Sequence, residues 1–234
     1  MEEIRQILAG LDWSPLFISI KTGIAATIVS FFLGIWAARK VLKAKTGLRA
    51  VLDGILTLPL VLPPTVAGFF LLLIFSTRRT VGSYLYTTFD IKIVQSWAGC
   101  VIAATVIAFP LMYRNARAAF EQVDVNLIYA GQTLGMSDRR IFWKVIVPAA
   151  APGIASGTVL AFARAIGEYG ATSMLAGNIL GKTRTVSVAI AAETSAGNYD
   201  IAGFWVVVIV VISFVIVALI NIVSGRGMKS RRWI

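Results

Sequence analysis

Residues 129–148 read YAGQTLGMSDRRIFWKVIVP, a polar and basic stretch between two apolar segments that are each long enough to cross a membrane. A stretch of this kind leaves the lipid after one crossing, and Pro148 marks the point where the chain returns to it. Gly135, near the middle, can end a short helix. The pattern predicts a short cytoplasmic helix that is free to contact a partner outside the membrane.

The composition decides the class of protein. Hydrophobic residues make up 58% of the chain and charged residues 14%, and the mean hydropathy is +0.82. The chain has too few polar residues to shield so many apolar residues from water, so we expect an integral membrane protein. One helical crossing needs about 20 apolar residues, so the 234 residues leave room for several crossings in one all-α membrane domain.

Five apolar runs are long enough to span a membrane as helices. They lie at about 16–38, 54–75, 97–113, 149–167 and 201–223. These runs predict a transmembrane domain at 16–223, preceded by an external segment, 1–15, and followed by a basic tail, 224–234. Glu2 and Glu3 stand where a cleavable signal peptide would be basic, so the first span should itself direct insertion.

The distribution of Lys and Arg predicts the orientation of the spans, because short basic loops stay in the cytoplasm. One side of the membrane receives Arg39, Lys40, Lys43, Lys45, Arg49, Arg114, Arg117, Arg139, Arg140, Lys144, Arg226, Lys229, Arg231 and Arg232. The other side receives only Arg5, Arg78, Arg79, Lys92, Lys182 and Arg184. We therefore expect the N-terminus outside and the C-terminus in the cytoplasm. Nearly all of the net charge of +11 then lies on the cytoplasmic face, next to anionic lipid, and no nucleic-acid partner is expected.

Prolines interrupt the second span. Pro59, Pro63 and Pro64 each remove a helical hydrogen bond and favour a bend. Freed carbonyl groups are tolerated in a membrane where other helices or a water-lined path surround them. The Pro63–Pro64 pair therefore indicates a hinge or the lining of a gate, with a static packing kink as the alternative. Pro110 in the third span predicts a milder kink.

The fourth span is rich in small residues, including Gly153 and Gly157, which let helices approach closely in lipid. It should be a central helix. Arg164 and Glu168 follow near its outer end at a spacing of four residues, and ionisable groups at such depth face protein or water and pair with one another. A contact between Arg164 and a substrate is the alternative.

Residues 168–200 form the longest external region, with an apolar stretch at 186–192 that is too short to span. We expect a re-entrant or surface-lying helix there. Residues 177–183, GNILGKT, look like a phosphate loop, but the first glycine is one residue too close and no strand precedes it. No nucleotide site is expected. Lys182 and Arg184 would either meet an acidic partner or an anion, or be solvated.

Catalytic and cofactor sites are not indicated. The chain has no histidine and a single cysteine, Cys100, so no disulfide, zinc site or haem site is expected. An intramembrane enzyme would need an activated nucleophile or metal ligands within the spans. The sequence offers neither, so we expect no metal, no cofactor and no catalytic residue.

The loop at 129–148 resembles the signature of ABC importer permeases, which is Glu-Ala-Ala, three residues, Gly, nine residues, then Ile-x-Leu-Pro. Ala130, Gly135 and Pro148 fall on that spacing, whereas Tyr129 and Gly131 depart from it. The resemblance implies that a cytoplasmic ATPase engages this loop. The residues implied in coupling are Tyr129, Ala130, Gly131, Gln132, Thr133, Leu134, Gly135, Met136, Arg139 and Arg140.

Most of the chain resembles a narrower group, the molybdate importer permeases with their sulfate and tungstate relatives. The matching stretches are LPLVLPPTVAGFFLL at 58–72, GQTLGMSDRRIFWKVIVPAAAPGI at 131–154 and AFARAIGEYGATSMLAGNILGKTRTVSVAI at 161–190. The resemblance implies a type I ABC importer permease fold, a homodimer with the pathway at its interface, two ATPase subunits and an external oxyanion-binding protein. Residues expected at the pathway or gate are Pro63, Pro64, Thr65, Arg164, Glu168, Gly170, Thr172 and Ser173.

The resulting hypothesis is ATP-driven import of a tetrahedral oxyanion, in which the coupling helices rock the bent spans between inward-facing and outward-facing states. ATP hydrolysis would belong to a separate subunit. An ATP-independent channel or secondary transporter is the alternative of another class, and it would need no docking loop of this spacing. The residues leave open whether the anion is molybdate, tungstate or sulfate.

Overall fold

The computed structural model describes residues 12–229, with side chains for 12–216 and 218, and the regular elements in this part of the chain are all helical. In order they are α1 (Ser14–Leu42), α2 (Thr46–Val61), α3 (Pro64–Phe75), α4 (Thr80–Phe89), α5 (Trp97–Glu121), α6 (Val125–Thr133), α7 (Asp138–Ile141), a π-helical turn (Phe142–Ile146), α8 (Val147–Ile166), α9 (Gly170–Ala176), α10 (Val186–Ser195) and α11 (Tyr199–Lys229). Most of the predicted external segment, at 1–11, and the basic side chains of the predicted tail, 224–234, lie outside the described residues.

Within residues 12–229, four helical stretches are long and apolar enough to cross a membrane, and a bent pair makes a fifth candidate. The four are Ser14–Leu42, Trp97–Glu121, Asp138–Ile166 and Tyr199–Ile216. They coincide with the first, third, fourth and fifth predicted spans, and the bent pair coincides with the second. The predicted all-α membrane architecture is confirmed for the described part of the chain.

The second span is divided into two helices instead of one bent helix. The chain bends by 108° between α2 and α3, at a break formed by Leu62 and Pro63. Both residues at the break are extended, with ψ of 141° at Leu62 and 134° at Pro63. The residue before a proline avoids the helical region, and each proline lacks a backbone donor. Two consecutive prolines therefore end α2 and begin α3, where Pro64 occupies the first turn.

Helices α1, α5 and α8 form the central core through small side chains. Ala26, Ala104, Ala108, Ala116 and Ala161 are fully buried in it. The two glycines predicted at an interface confirm this packing. A Cβ atom on Gly153 would lie 2.6 Å from the Ala119 Cβ atom, and one on Gly157 would lie 2.6 Å from the Asn115 Cβ atom. Close approach of helix backbones replaces the hydrophobic effect as the main attraction in lipid.

The helix that contains the fourth span begins earlier than predicted. Instead of re-entering at Pro148, the chain is helical from Asp138 to Ile166. The π-helical turn Phe142–Ile146 lies just before Pro148, and the Val147 N–H bonds to the Phe142 carbonyl, five residues back. The wider turn accommodates the missing donor and the ring of Pro148 without ending the helix.

The region 168–200, where a re-entrant or surface-lying helix was predicted, contains two helices that differ in burial. α10 is short and apolar, as expected for a non-spanning helix, and it packs against α11. α9, in contrast, is buried between α3 and α5, and its Ala171, Leu175 and Ala176 side chains are fully enclosed. The small Gly, Ala, Thr and Ser residues make α9 thin enough to fit within the bundle.

Candidate functional site

The predicted coupling helix is α6, and its two ends are capped by local hydrogen bonds. At the start, the Asp124 carboxylate accepts the Asn126 N–H at 2.9 Å, which is a typical N-cap interaction. At the end, Gly135 has φ of +69°. The Gly135 N–H donates to the Gln132 carbonyl at 2.9 Å, and the Met136 N–H donates to the Gly131 carbonyl at 3.0 Å. This pair of bonds is a Schellman motif, which requires a left-handed residue where Gly135 stands.

Gly131 explains one departure from the family signature. It is the only buried residue of α6, and a Cβ atom there would lie 3.1 Å from Ile141 Cγ1 and 3.7 Å from Met136 Sδ. The small residue lets α7 and the end of α6 approach each other. The predicted stop at Gly135 is confirmed, and α6 begins at Val125.

The surface of this segment is unusually apolar for a region outside the spans. Leu134 is 79% exposed and Tyr129 is 57% exposed, and Val125 and Leu127 are about half exposed. Arg139 and Arg140 lie beside it on α7, and both are exposed. Exposed apolar side chains rimmed by charge are typical of a protein-binding surface. We call Tyr129–Met136 with Arg139 and Arg140 the coupling surface.

The structure brings several of the predicted pathway residues together where α3 meets α9. A Cβ atom on Gly170 would lie 3.0 Å from Pro64 Cβ and 3.1 Å from the Thr65 nitrogen. One turn along α3, a Cβ atom on Gly68 would lie 2.6 Å from Ala171 Cα. The helix that starts at the proline break therefore packs backbone to backbone against α9.

Arg164 and Glu168 form the predicted ion pair. Arg164 Nη1 lies 2.7 Å from Glu168 Oε2, and Glu168 Oε1 accepts the Ala171 N–H at 2.7 Å. Glu168 is only 2% exposed, so its carboxylate both balances Arg164 and satisfies a donor in the first turn of α9. This geometry joins the end of α8 to α9.

The remaining predicted pathway residues differ in how far they are exposed to solvent. Pro63 and Thr65 are exposed, and Thr172 is buried at 1% exposure. The Ser173 hydroxyl donates to the Gly170 carbonyl at 3.1 Å, and its side chain lines a cavity of about 180 Å³. Thr172 therefore has no access to solvent unless α9 moves.

Lys182 and Arg184 do not form one cationic site. Lys182 is exposed, whereas Arg184 Nη2 lies 2.7 Å from Glu193 Oε1. A hydrogen bond from Asn198 and the Arg184 guanidinium lower the pKa of Glu193, so this carboxylate stays ionised and holds Arg184. GNILGKT lies in the loop after α9, and a helix precedes it instead of a strand.

An ionic network between α2 and α5 was not predicted from the sequence. Arg117 pairs with Asp53 and, at 3.1 Å, with Glu121, while Arg49 pairs with Glu121 as well. The Tyr113 hydroxyl donates to the Asp53 carboxylate, and Tyr113 is fully buried. Only the Arg117–Glu121 spacing of four residues was visible in the sequence. We call these five residues the α2–α5 network.

The contact between α3 and α9 leads to a stability prediction. Gly68→Ala should lower the melting temperature of the purified protein, because its new Cβ atom meets the Ala171 backbone and the helices must separate. Overpacking of this kind costs about 1–2 kcal/mol. Gly54→Ala is the matched control on α2, where a Cβ atom would meet nothing within 4 Å. Thermal melts of both variants that coincide would contradict the packing described above.

Known proteins are similar to this chain over most of its length. The family model described as "Binding-protein-dependent transport system inner membrane component" matches residues 30–225. The molybdenum transport system permease protein ModB of Escherichia coli (strain K12) is 44% identical over 184 residues, covering 79% of this chain and 80% of ModB. The putative molybdenum transport system permease protein YvgM of Bacillus subtilis (strain 168) is 39% identical over 215 residues, covering 92% and 95%. The sulfate transport system permease protein CysT of Salmonella typhimurium is 32% identical over 208 residues, covering 88% and 75%.

Solved structures show the same fold at low sequence identity. A chain from the inward facing conformations of the MetNI methionine ABC transporter superposes with a TM-score of 0.67 at 15% identity, covering 96% of this chain and 98% of that one. The sequence relatives, the family model and the fold agree with one another. The chain belongs to the family of binding-protein-dependent transport system inner membrane components, and it is a multi-pass permease subunit of an ABC importer.

Proposed function

We propose that this permease carries molybdate into the cell. The observation that carries the proposal is the identity of 44% and 39% to permeases named for molybdenum transport, against 32% to one named for sulfate transport. Sulfate is the second candidate, because molybdate and sulfate are both tetrahedral dianions and the sulfate permease is a relative as well.

The substrate path would lie between two copies of the chain. α2 has no buried residue, and its Val51, Ile55 and Val61 side chains are 59%, 61% and 81% exposed. An apolar helix of a broken span that its own chain leaves largely uncovered supports a homodimer that meets at the α2–α3 face. The exposed Pro63 and Thr65 would then lie at the centre of the dimer.

The gate would be the contact between α3 and α9. Gly170 is enclosed by it and Thr172 is buried on the same helix, so passage of an anion would require α3 to separate from α9. Backbone N–H groups and hydroxyls at the freed surface suit a tetrahedral oxyanion. Arg164 is neutralised by Glu168 at 2.7 Å, which favours release of the anion over tight binding.

The energy would come from an ATPase dimer that binds the coupling surface. The capped α6 and its exposed Leu134 and Tyr129 give a rigid element with an apolar contact face, which is what a protein partner needs in order to transmit force. No residue of this chain would take part in ATP hydrolysis. An external oxyanion-binding protein would deliver the anion to the opposite end.

The basic ends of the spans support the orientation with the N-terminus outside. Lys43 lies 3.4 Å from Asp138, and Arg49 pairs with Glu121, so the basic ends of α1 and α2 lie at the same end of the bundle as the coupling segment. A basic face of this kind belongs in the cytoplasm.

Uptake measurements test the proposal. The permease, reconstituted in liposomes with its ATPase and binding protein, should accumulate labelled molybdate only when ATP is present. A tenfold excess of unlabelled tungstate and of sulfate, added separately, ranks the three anions. Preferential uptake of sulfate would replace molybdate by the second candidate, and uptake without the ATPase subunit would indicate a channel or secondary transporter instead.

A further inference from the structure

A groove on the outer surface of the helix bundle runs between α1 and the helix that begins at Asp138. Its volume is about 770 Å³, and its lining is almost entirely apolar and includes Phe32, Trp36, Phe142, Trp143 and Ala151. Arg39 is the one charged residue among those that line it. The pathway residues Pro64, Thr65 and Gly170 do not line it, so the groove is separate from the proposed route of the anion.

We infer that this groove binds an anionic phospholipid, with an acyl chain along the apolar walls and the phosphate on Arg39. Placement in the cytoplasmic leaflet rests on the orientation proposed above. The chemical identity of the ligand is inferred from the groove itself. Its apolar walls, the tryptophan side chains at its rim and its single arginine each contribute to that inference.

The walls suit hydrocarbon. Phe32 is 65% exposed, Trp36 61% and Trp143 53%, and all three belong to helices that are long and apolar enough to cross the membrane. Side chains of this kind on a spanning helix contact lipid tails. The volume of about 770 Å³ lies within the range of about 300–1,000 Å³ that holds medium-sized ligands.

The rim places the groove near the membrane surface. Trp36 and Trp143 line the groove together with Arg39, and Arg39 lies in the last turn of α1. Tryptophan side chains concentrate where the hydrocarbon meets the headgroups. The acyl chain would therefore run from Arg39 towards the middle of the membrane, past Ala151 and Ala155.

Arg39 supplies the charge that selects an anionic headgroup. Its guanidinium carbon lies 4.0 Å from the centre of the Phe142 ring, which fixes the plane of the group. Among the described residues, no carboxylate lies within 4.0 Å of Arg39, although Lys43, Arg49 and Arg117 at the same end are all paired. The N–H edges of Arg39 are therefore available, and their planar geometry matches a phosphate.

Native mass spectrometry of the purified transporter tests this inference, with phosphatidylglycerol and phosphatidylcholine of identical acyl chains as probes. We expect tighter retention of phosphatidylglycerol. Arg39→Gln should weaken that retention by about tenfold, because it removes a charge-assisted contact. Lys40→Gln is the matched control, because it removes the same charge from the next residue, which is exposed and does not line the groove.

A second variant keeps the charge and blocks the walls. Ala151 is exposed on the groove surface, so Ala151→Trp should fill the space without disturbing the core and should also weaken retention of phosphatidylglycerol. A normal melting temperature of this variant shows that the loss is not due to unfolding.

Three outcomes would overturn the inference. These are equal retention of the two lipids, equal loss in Lys40→Gln and Arg39→Gln, and a disulfide between two copies of Trp143→Cys, which would mean that protein covers the groove. The assay uses neither the transported anion nor ATP, so its failure leaves the proposed transport function intact, and a failure of molybdate uptake leaves the lipid result intact.

Discussion

Gly135→Val should abolish the molybdate-stimulated ATPase activity of the reconstituted importer. Gly135 has φ of +69°, and a β-branched residue is strained in this left-handed region by about 1–2 kcal/mol. Loss of that conformation breaks both hydrogen bonds of the Schellman motif, and Leu134 and Met136 then change direction. The coupling surface would lose its shape at the position where the ATPase is proposed to bind.

Two further variants separate backbone strain from simple loss of glycine. Gly135→Asn should keep most of the stimulated activity, because asparagine tolerates the left-handed region. Gly197→Val introduces the same strain at φ of +80° between α10 and α11, at the opposite end of the bundle from the coupling surface, and should leave the stimulation near normal. Full coupling in Gly135→Val would remove the coupling role from this segment.

Hydropathy alone was enough to predict the architecture, because long apolar runs have few possible structures in lipid. All five predicted spans correspond to helices or to the bent pair. Proline chemistry located the break at Pro63 and Pro64, but the angle of 108° depends on how α3 packs against α9. α4 was missed, because the ten residues TVGSYLYTTF are too few to be recognised as a membrane span.

Local spacing predicted the local parts of the candidate site. The Gly135 stop and the Arg164–Glu168 pair involve residues up to five apart, so the sequence carries them directly. Burial of α9 and the pairing of Asp53 with Arg117 depend on contacts between distant segments, which no short pattern contains. The partner of Asp53 became visible only in the folded chain.

The α2–α5 network connects the two parts of the candidate site. α5 ends at Glu121, three residues before the Asp124 cap of α6, and the network fastens this end of α5 to α2. α2 in turn ends at the proline break. Because α2 has no buried residue, the network and the partly buried Leu52 and Leu56 are its main attachments to the rest of the chain. A displacement of the coupling surface would therefore reach the break through this network.

Asp53→Ala should lower molybdate uptake at least tenfold and lower the melting temperature of the transporter by several degrees. The substitution leaves the fully buried Tyr113 hydroxyl without its acceptor and removes one of the two carboxylates of Arg117. Unsatisfied groups of this kind cost about 2–3 kcal/mol together. α2 would then move independently of α5, and ATPase activity should persist without driving uptake.

A double-mutant cycle of Asp53→Ala with Arg117→Ala measures the interaction itself, and contacting partners typically couple by about 0.5–3 kcal/mol. Asp138→Ala is the matched control, because its pair with Lys43 lies at the same end of the bundle but has side chains that are 60% and 76% exposed. Exposed pairs contribute about 0–1 kcal/mol, so uptake by Asp138→Ala should stay near normal. If Asp53→Ala transports as well as Asp138→Ala, then α2 does not need its ionic attachment to α5, and movement must reach the break by way of α9 instead.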